Sequence, residues 1–260
     1  MSRTGRKRCY YCGSQVTSQE HAPPKLMFRG FLCDRITVPS CDTHNSHKSG
    51  ADQAVVAAFL TPLRWKLQKS AEAAATLSPE VIKAIEIASQ SFERAKRKAV
   101  PTYLLKNPPP HLADQPSVAY ITPQVEIRAW IRQLSAAVLH SALRIEAHSS
   151  QWEEALVWSP SWVPGPSPEP LDFESVRDDF LRGEPLKTEL EALPWEAGWS
   201  AHPRPYPSTL YHFDVHFKSR GSIVLRHHFY GNYTWYVAIS MPSKAVNTIK
   251  QSCNPPKLAA

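Results

Sequence analysis

Two short segments near the N-terminus carry residue types that bind metal ions. The stretch CYYCG places Cys9 and Cys12 before a glycine with two residues between them. After 28 further residues, CDTH gives Cys41 and His44 the same spacing. Two thiolates from a tight turn, with a thiolate and an imidazole from the first turn of a helix, fit a closed tetrahedral zinc site. We therefore predict a structural zinc ion bound by these four residues.

A zinc ion would supply folding free energy that this part of the chain lacks. A short two-strand segment joined to one helix buries too little apolar surface to be stable alone, and zinc binding to the folded form makes up the difference. Two alternatives stay open at the ligand positions, namely Cys33 in place of Cys41 and His47 in place of His44. For His47, a solvent-facing position on the helix is the favoured interpretation.

The order of motifs around the cysteine pairs is that of a known superfamily. Glu20 and His21 are adjacent and are followed by proline, a second strand is expected around RITVPS, and the second zinc pair is followed by Asn45 and Lys48. Over residues from about 9 to 55, this order resembles the HNH endonuclease superfamily, the ββα-metal nucleases, in the version held by a treble-clef zinc site. The resemblance implies hydrolysis of phosphodiester bonds.

The resemblance also implies a role for each matching residue. Glu20 and His21 match the acidic residue and the histidine of the family's first strand, and Asn45 matches the middle position on its helix. His21 would be the general base that takes a proton from the attacking water, since a histidine titrates near neutral pH. Glu20 and the carbonyl oxygen of Asn45 would bind a catalytic Mg²⁺ or Mn²⁺ ion, because such hard ions prefer oxygen ligands.

The sequence departs from the family pattern at two points. His44 stands where the family has its fourth zinc cysteine, and the loop of the PLSxGG type that often follows the first histidine is absent. The alternative function is a non-catalytic zinc module of the treble-clef type that binds nucleic acid or protein. In that case Glu20 and His21 are surface strand residues, and Asn45 only hydrogen-bonds the strand loop.

Positive charge is concentrated near the N-terminus. The chain has a formal net charge of +7, and its first 50 residues contain eight Lys/Arg against three Asp/Glu. An excess of this kind favours a polyanionic partner. We expect Arg6, Lys7 and Arg8, together with Lys48, to contact nucleic-acid phosphates, with DNA favoured over RNA. A solvated basic surface is the alternative.

The metal-binding residues need secondary structure that holds them together. The apolar run ADQAVVAAFL predicts a helix directly after the second zinc pair, closed by Pro62. Ser78-Pro79 and Thr122-Pro123 are helix-start signals, each followed by apolar residues at helical spacing. The second of these helices is expected to be long and largely buried. Its apolar stripe consists of Ile127, Ile131, Leu134, Val138 and Ile145.

The last part of the chain has the pattern of β-strands. In YHFDVHF and YTWYVAI, apolar and polar side chains alternate, and Gly231-Asn232 is a two-residue hairpin-turn signal before the second of these strands. This region also holds a second group of metal-binding residue types. They are His212, Asp214, His216, His227 and His228. These residues form either a second metal site or, as is commoner, the exposed polar face of a sheet.

Together these patterns predict an α+β fold in three regions. Residues 1–65 form the zinc-bound ββα-metal module of treble-clef type, residues 66–150 are helical, and residues 151–260 are rich in antiparallel strands. No apolar run reaches the roughly 20 residues of a membrane span. The basic N-terminus lacks the apolar run of a secretory signal. We therefore expect a cytoplasmic protein with no membrane partner, whose C-terminal region selects substrate, senses a signal or binds a protein.

Overall fold

The architecture of the chain comes from a computed structural model. It describes residues 8–33, 35–69, 71–96, 102–104, 118–120, 124–143, 149–159, 191–197, 207–217 and 222–240. The helix-start signal Thr122-Pro123 and the stripe residue Ile145 lie outside these ranges.

The N-terminal region is a β-hairpin followed by a helix. Strands β1 (Ser18–Ala22) and β2 (Ile36–Ser40) pair antiparallel, and in each of them alternate residues are buried. This alternation follows from the two-residue period of a strand, which sends successive side chains to opposite faces. Two 3₁₀ turns, Asp42–His44 and Ser46–Lys48, then lead into helix α1 (Ser49–Lys69).

Helix α1 continues through Pro62 to Lys69, so the predicted end at this proline is wrong. A proline inside a helix removes one backbone hydrogen bond and costs about 3 kcal/mol. Leu60 and Leu63 on either side of it are 1% and 3% exposed. Burial of these apolar side chains offsets the cost of the proline. This burial comes from packing against other parts of the chain, so the local sequence does not indicate it.

The middle of the chain is mainly helical. The predicted cap at Ser78 is confirmed, because its hydroxyl oxygen accepts a hydrogen bond of 3.3 Å from the Val81 backbone N–H. A short antiparallel strand pair in this region was not predicted from the sequence. The elements are α2 (Ala71–Ala75), α3 (Pro79–Lys96), β3 (Thr102–Leu104), β4 (Val118–Tyr120), α4 (Gln124–Leu143) and α5 (Ser149–Glu153).

A five-stranded antiparallel sheet forms the C-terminal part of the fold, with the strand order β5-β9-β8-β7-β6. Its strands are β5 (Leu156–Trp158), β6 (Glu196–Ala197), β7 (Tyr211–Phe217), β8 (Ser222–Phe229) and β9 (Tyr233–Ser240). The predicted alternation is confirmed in β7, where every second side chain from Tyr211 to Phe217 is buried.

The turn between β8 and β9 has three residues and not the two that were predicted. Phe229 pairs with Tyr233, so Tyr230, Gly231 and Asn232 form the loop. Tyr230 and Gly231 both have positive φ angles, of 53° and 64°. Tyr230 is fully buried, and the packing of its ring offsets the cost of this backbone conformation.

Helix α4 lies at the centre of the fold, since it packs against β1, β2 and α1 and also against β5 and β9. The predicted apolar stripe is confirmed where the structure describes it, because Ile127, Ile131, Leu134 and Val138 are at most 2% exposed. The described residues thus form a mixed α+β fold with antiparallel sheets. None of their helices is long and apolar enough to cross a membrane.

His227 of β8 is a core residue between the sheet and α4. Ser135 donates its hydroxyl hydrogen to the Ile131 carbonyl at 2.8 Å, so it accepts from Nε2–H of His227, also at 2.8 Å. Nδ1 then accepts from the Tyr211 hydroxyl at 3.0 Å. Burial lowers the pKa of His227 to about 3, so the ring is neutral and both of its nitrogens are engaged.

Candidate metal centre

The four predicted zinc ligands lie together. All four ligand atoms of Cys9, Cys12, Cys41 and His44 are within 4.8 Å of one another. The Cys12 and Cys41 sulfur atoms are 3.7 Å apart, and His44 Nδ1 is 3.7 Å from the Cys9 sulfur and 3.2 Å from that of Cys41. A tetrahedral zinc ion with ordinary bond lengths requires sulfur–sulfur distances of roughly 3.8 Å and sulfur–nitrogen distances of roughly 3.6 Å. The cluster therefore fits a zinc ion.

Local backbone geometry positions each half of the cluster. In the first half, the Gly13 N–H donates to the Cys9 carbonyl at 3.0 Å, and the Cys9 N–H donates to the Ser14 carbonyl at 2.8 Å. Gly13 has a φ of 72°, a conformation that glycine adopts at little cost, so the turn closes directly after Cys12. In the second half, the His44 N–H donates to the Cys41 carbonyl at 3.1 Å, which places both side chains on one 3₁₀ turn.

The surroundings of the thiols differ in their effect on ionisation. Burial raises the pKa of Cys9, but backbone N–H groups, including those of Cys12 and Tyr11, lower it further than burial raises it. Burial raises the pKa of Cys41, and its sulfur neighbours add to that increase. A bound cation would favour the thiolate form at both positions, as is usual for zinc sites.

The structure favours the primary ligand set over its alternatives. Cys33 is partly buried against the apolar core and is not a member of the four-residue cluster. The side chain of His47 lies outside the part of the chain that the structure describes. The ring of Tyr11 packs on that of His44, with ring centres 4.8 Å apart. This contact limits rotation of the imidazole and keeps it next to the three sulfur atoms.

Glu20 is buried between the hairpin and helix α1, and only 1% of the surface of this residue is exposed. The Lys48 ammonium forms an ion pair with its carboxylate, and the Ser40 hydroxyl donates to the other oxygen at 3.4 Å. Burial raises the pKa of Glu20, and the positive charge of Lys48 only partly opposes this increase. The sequence alone placed Glu20 as a metal ligand or a surface residue, whereas this carboxylate is enclosed and paired.

The pair extends into a network that sequence reasoning missed. Lys48 lies 3.7 Å from the Asp52 carboxylate one helical turn later, and Trp130 of α4 donates its indole N–H to Asp52 at 2.7 Å. The four-residue spacing from Lys48 to Asp52 is a sequence signal for an ion pair on a helix. No local signal indicates Trp130, since it lies 78 residues away from Asp52 along the chain.

His21 occupies the opposite face of β1 from Glu20 and is partly exposed. Burial lowers its pKa, and the positive charges of Lys25 and Arg35 lower it further. The imidazole is therefore neutral at neutral pH and can accept a proton. Its Nδ1 atom is buried and has no hydrogen-bond partner among the described residues.

Asn45 joins the turn that carries Cys41 and His44 to the first strand. Its side-chain amide nitrogen donates to the Ser18 hydroxyl at 2.8 Å and to the Gln19 carbonyl at 3.3 Å. The Asn45 backbone N–H donates to the Cys41 carbonyl at 3.1 Å. The strand that carries Glu20 and His21 is thus tied directly to the turn that carries Cys41 and His44.

The basic residues expected to contact nucleic acid have different environments. Arg6 and Lys7 lie outside the described residues. Arg8 is exposed, and it donates to the Gly13 carbonyl at 3.3 Å. The side chain of Lys48 is only 9% exposed and engages Glu20, so it does not form part of the exposed basic surface.

The chain matches no protein-family model, and comparisons with curated proteins and with solved structures found no match. The resemblance to the HNH superfamily therefore rests on the residues between about 9 and 55 and stays a prediction.

Proposed function

We propose that this chain is an HNH-type endonuclease that hydrolyses phosphodiester bonds of nucleic acid, with DNA favoured over RNA as the substrate. The observation that carries the proposal is the cluster of Cys9, Cys12, Cys41 and His44 next to the strand that bears the Glu20-His21 pair. The side chain of Asn45 links that strand to the turn bearing Cys41 and His44. The β1-β2 hairpin, the Cys/His cluster and the start of helix α1 support the proposal, because a ββα-metal module with a treble-clef zinc site has these parts.

His21 is the general base in this proposal. Its lowered pKa keeps the ring neutral at neutral pH, so a ring nitrogen can take a proton from the water that attacks the phosphorus atom. Lys25 and Arg35 raise the cost of the resulting imidazolium ion. The same two cations supply positive charge beside a phosphate group, and this charge favours binding of the nucleic-acid backbone.

Two of the proposed site residues, on the face of β1 opposite His21, carry donors that suit a hard divalent ion. A carboxylate from Glu20 and an amide oxygen from Asn45 are ligands that Mg²⁺ and Mn²⁺ accept. When bound, such an ion stabilises the charge on the scissile phosphate and the leaving oxygen. Glu20 is paired with Lys48, so the carboxylate becomes available as a ligand only when the Lys48 ammonium turns away from it.

The burial of Glu20 favours one second candidate function. A carboxylate enclosed by Lys48 and Ser40 acts as a structural link between strand and helix. In that case the region is a non-catalytic zinc module that binds nucleic acid or protein.

Cleavage assays separate the two functions. Purified protein is incubated with supercoiled plasmid and with single-stranded and structured RNA, in Mg²⁺ or Mn²⁺ and with EDTA as the control. Cleavage that requires the divalent ion and is lost in His21→Ala supports the nuclease. Binding of these substrates without cleavage under any of the conditions supports the non-catalytic module.

A further inference from the structure

We propose that the outer face of strands β7 and β8 carries a second metal site, formed by His212, Asp214 and His228, for a first-row transition-metal ion such as Zn²⁺. It is separate from the cysteine cluster and does not depend on the nuclease proposal. The three described ligands leave coordination positions for water or another small molecule, which is the arrangement of reactive rather than purely structural sites.

Strand register brings the three side chains together. His212 of β7 pairs directly with His228 of β8, and Asp214 follows two residues later on the same face as His212. One ligand atom from each residue lies within 4.8 Å of the other two. The two imidazole rings are stacked, with centres 4.2 Å apart and an angle of 16° between them. Binding one ion therefore requires the rings to turn from parallel to converging.

Hydrogen bonds orient both imidazoles. His212 Nδ1 lies 3.0 Å from the Ser208 carbonyl, to which only a protonated nitrogen can donate, so its Nε2 carries the lone pair. His228 Nδ1 lies 3.2 Å from the Thr234 hydroxyl, and its Nε2 lies 3.4 Å from Oδ2 of Asp214, the oxygen that also accepts from Arg226. Histidines that bind metals commonly use one ring nitrogen for an oxygen partner and the other for the ion.

Arg226 binds only one of the two carboxylate oxygens of Asp214. Arg226 donates from Nε at 2.9 Å and from Nη2 at 2.7 Å, and both bonds go to Oδ2. The Arg226 guanidinium also lies over the Trp195 ring, 4.4 Å from its centre, which keeps it in place.

The donor set selects the kind of ion. Two imidazoles and one carboxylate suit zinc and its first-row neighbours, whereas Mg²⁺ and Ca²⁺ require more oxygen ligands. The positive charge of Arg226 weakens purely electrostatic binding of a cation, so affinity must come from the nitrogen donors. This points to Zn²⁺ rather than to a hard ion.

Neighbouring histidines on the same strands serve as controls. His216 is on the same face of β7, where its Nδ1 lies 3.0 Å from the Pro194 carbonyl, and it is not part of the cluster. His227 faces the opposite way and is buried against α4. A specific site therefore loses its ion when His212 or His228 is changed, but not when His216 is changed.

The test is metal titration of the full chain after one equivalent of zinc has filled the cysteine cluster. Isothermal titration with Zn²⁺ is expected to show a second equivalent in the parent and in His216→Ala. His212→Ala and His228→Ala should each bind at least tenfold more weakly. With Co²⁺ as the probe, the second equivalent should give ligand-field bands without a thiolate charge-transfer band.

A measurement on the unmodified protein removes dependence on the folding of the variants. With ¹⁵N-labelled histidine, the second equivalent of Zn²⁺ should shift the ring nitrogens of His212 and His228 and leave those of His216 in place. Absence of a second equivalent in the parent, or equal loss in all three alanine variants, would overturn the proposal.

Discussion

Lys48 and Glu20 form an enclosed ion pair that joins the start of helix α1 to the first strand of the hairpin. The pair lies beside the turn that carries Cys41 and His44, and Asp52 and Trp130 extend it toward helix α4. A single lysine thus neutralises a buried carboxylate at the point where the hairpin, α1 and α4 meet.

Removal of either partner of this pair should destabilise the fold. Lys48→Met leaves the Glu20 charge buried without its lysine partner and should cost roughly 3–5 kcal/mol of unfolding free energy. Glu20→Gln leaves Lys48 with the Asp52 carboxylate, 3.7 Å away, as a remaining partner and should cost less. The double variant Glu20→Gln/Lys48→Met should lose clearly less than the sum, as measured by chemical denaturation. Additive losses would show that the pair does not contribute as a unit.

The same lysine tests the catalytic role of Glu20. If Glu20 binds a divalent ion during cleavage, Lys48 competes with that ion, and Lys48→Met should lower the Mg²⁺ concentration needed for half-maximal activity. The comparison is made at a temperature at which both proteins are folded, as judged by circular dichroism. An unchanged Mg²⁺ requirement would argue against Glu20 as a ligand.

Zinc content should follow the four-residue cluster. The protein should retain about one zinc per chain after dialysis against a weak chelator, and Cys12→Ser should lose both the zinc and the folded N-terminal region. Cys33→Ser is the matched control and should keep the zinc, since Cys33 is not part of the cluster. Mass spectrometry for metals and proteolysis of the N-terminal region measure the two effects. A folded parent without zinc would contradict the assignment.

His21 should affect cleavage without affecting the fold. His21→Ala should keep its zinc and its thermal stability, because a partly exposed imidazole contributes little to packing. Its cleavage rate should fall by roughly 10² to 10⁴, the usual contribution of a positioned general base. Gln19→Ala, on the same face of β1, is the control and should cleave at the parental rate. Equal rates for all three proteins would remove His21 from the mechanism.

The basic N-terminus should control the salt dependence of nucleic-acid binding. Replacement of Arg6, Lys7 and Arg8 by glutamine should weaken binding to all sequences by a similar factor. Each lost phosphate contact should flatten the plot of log affinity against log salt by about 0.9 for duplex DNA. Fluorescence anisotropy at several salt concentrations gives the slope. A slope equal to that of the parent would assign these residues to the solvated surface.

Acid should destabilise the sheet through His227. Its pKa of about 3 in the folded protein lies below its ordinary value of 6.5, so below pH 6.5 the unfolded chain takes up a proton that the folded chain does not. Unfolding free energy should therefore decrease as pH falls from about 6.5 to about 3, by up to about 1.4 kcal/mol per pH unit. His227→Gln should reduce this slope, and His216→Gln should leave it unchanged. Denaturant titrations at several pH values measure it.

The Cys/His cluster could be predicted from the sequence because short-range geometry determines each half of it. The spacing of Cys9 and Cys12 before Gly13 closes one turn, and that of Cys41 and His44 closes another. The alternation of the strands and the buried stripe of α4 could be predicted for the same reason, since each follows from the repeat of a single element.

Only the tertiary structure decided which polar groups meet across elements. Glu20 and His21 are adjacent in one strand, so their side chains lie on opposite faces. Which of the two is buried depends on how α1 and α4 pack over the hairpin. Trp130 reaches Asp52 across 78 residues of chain. His228 joins His212 through strand register while His227, the residue before it, turns into the core. These choices depend on packing between distant segments, and no local pattern of residues contains that information.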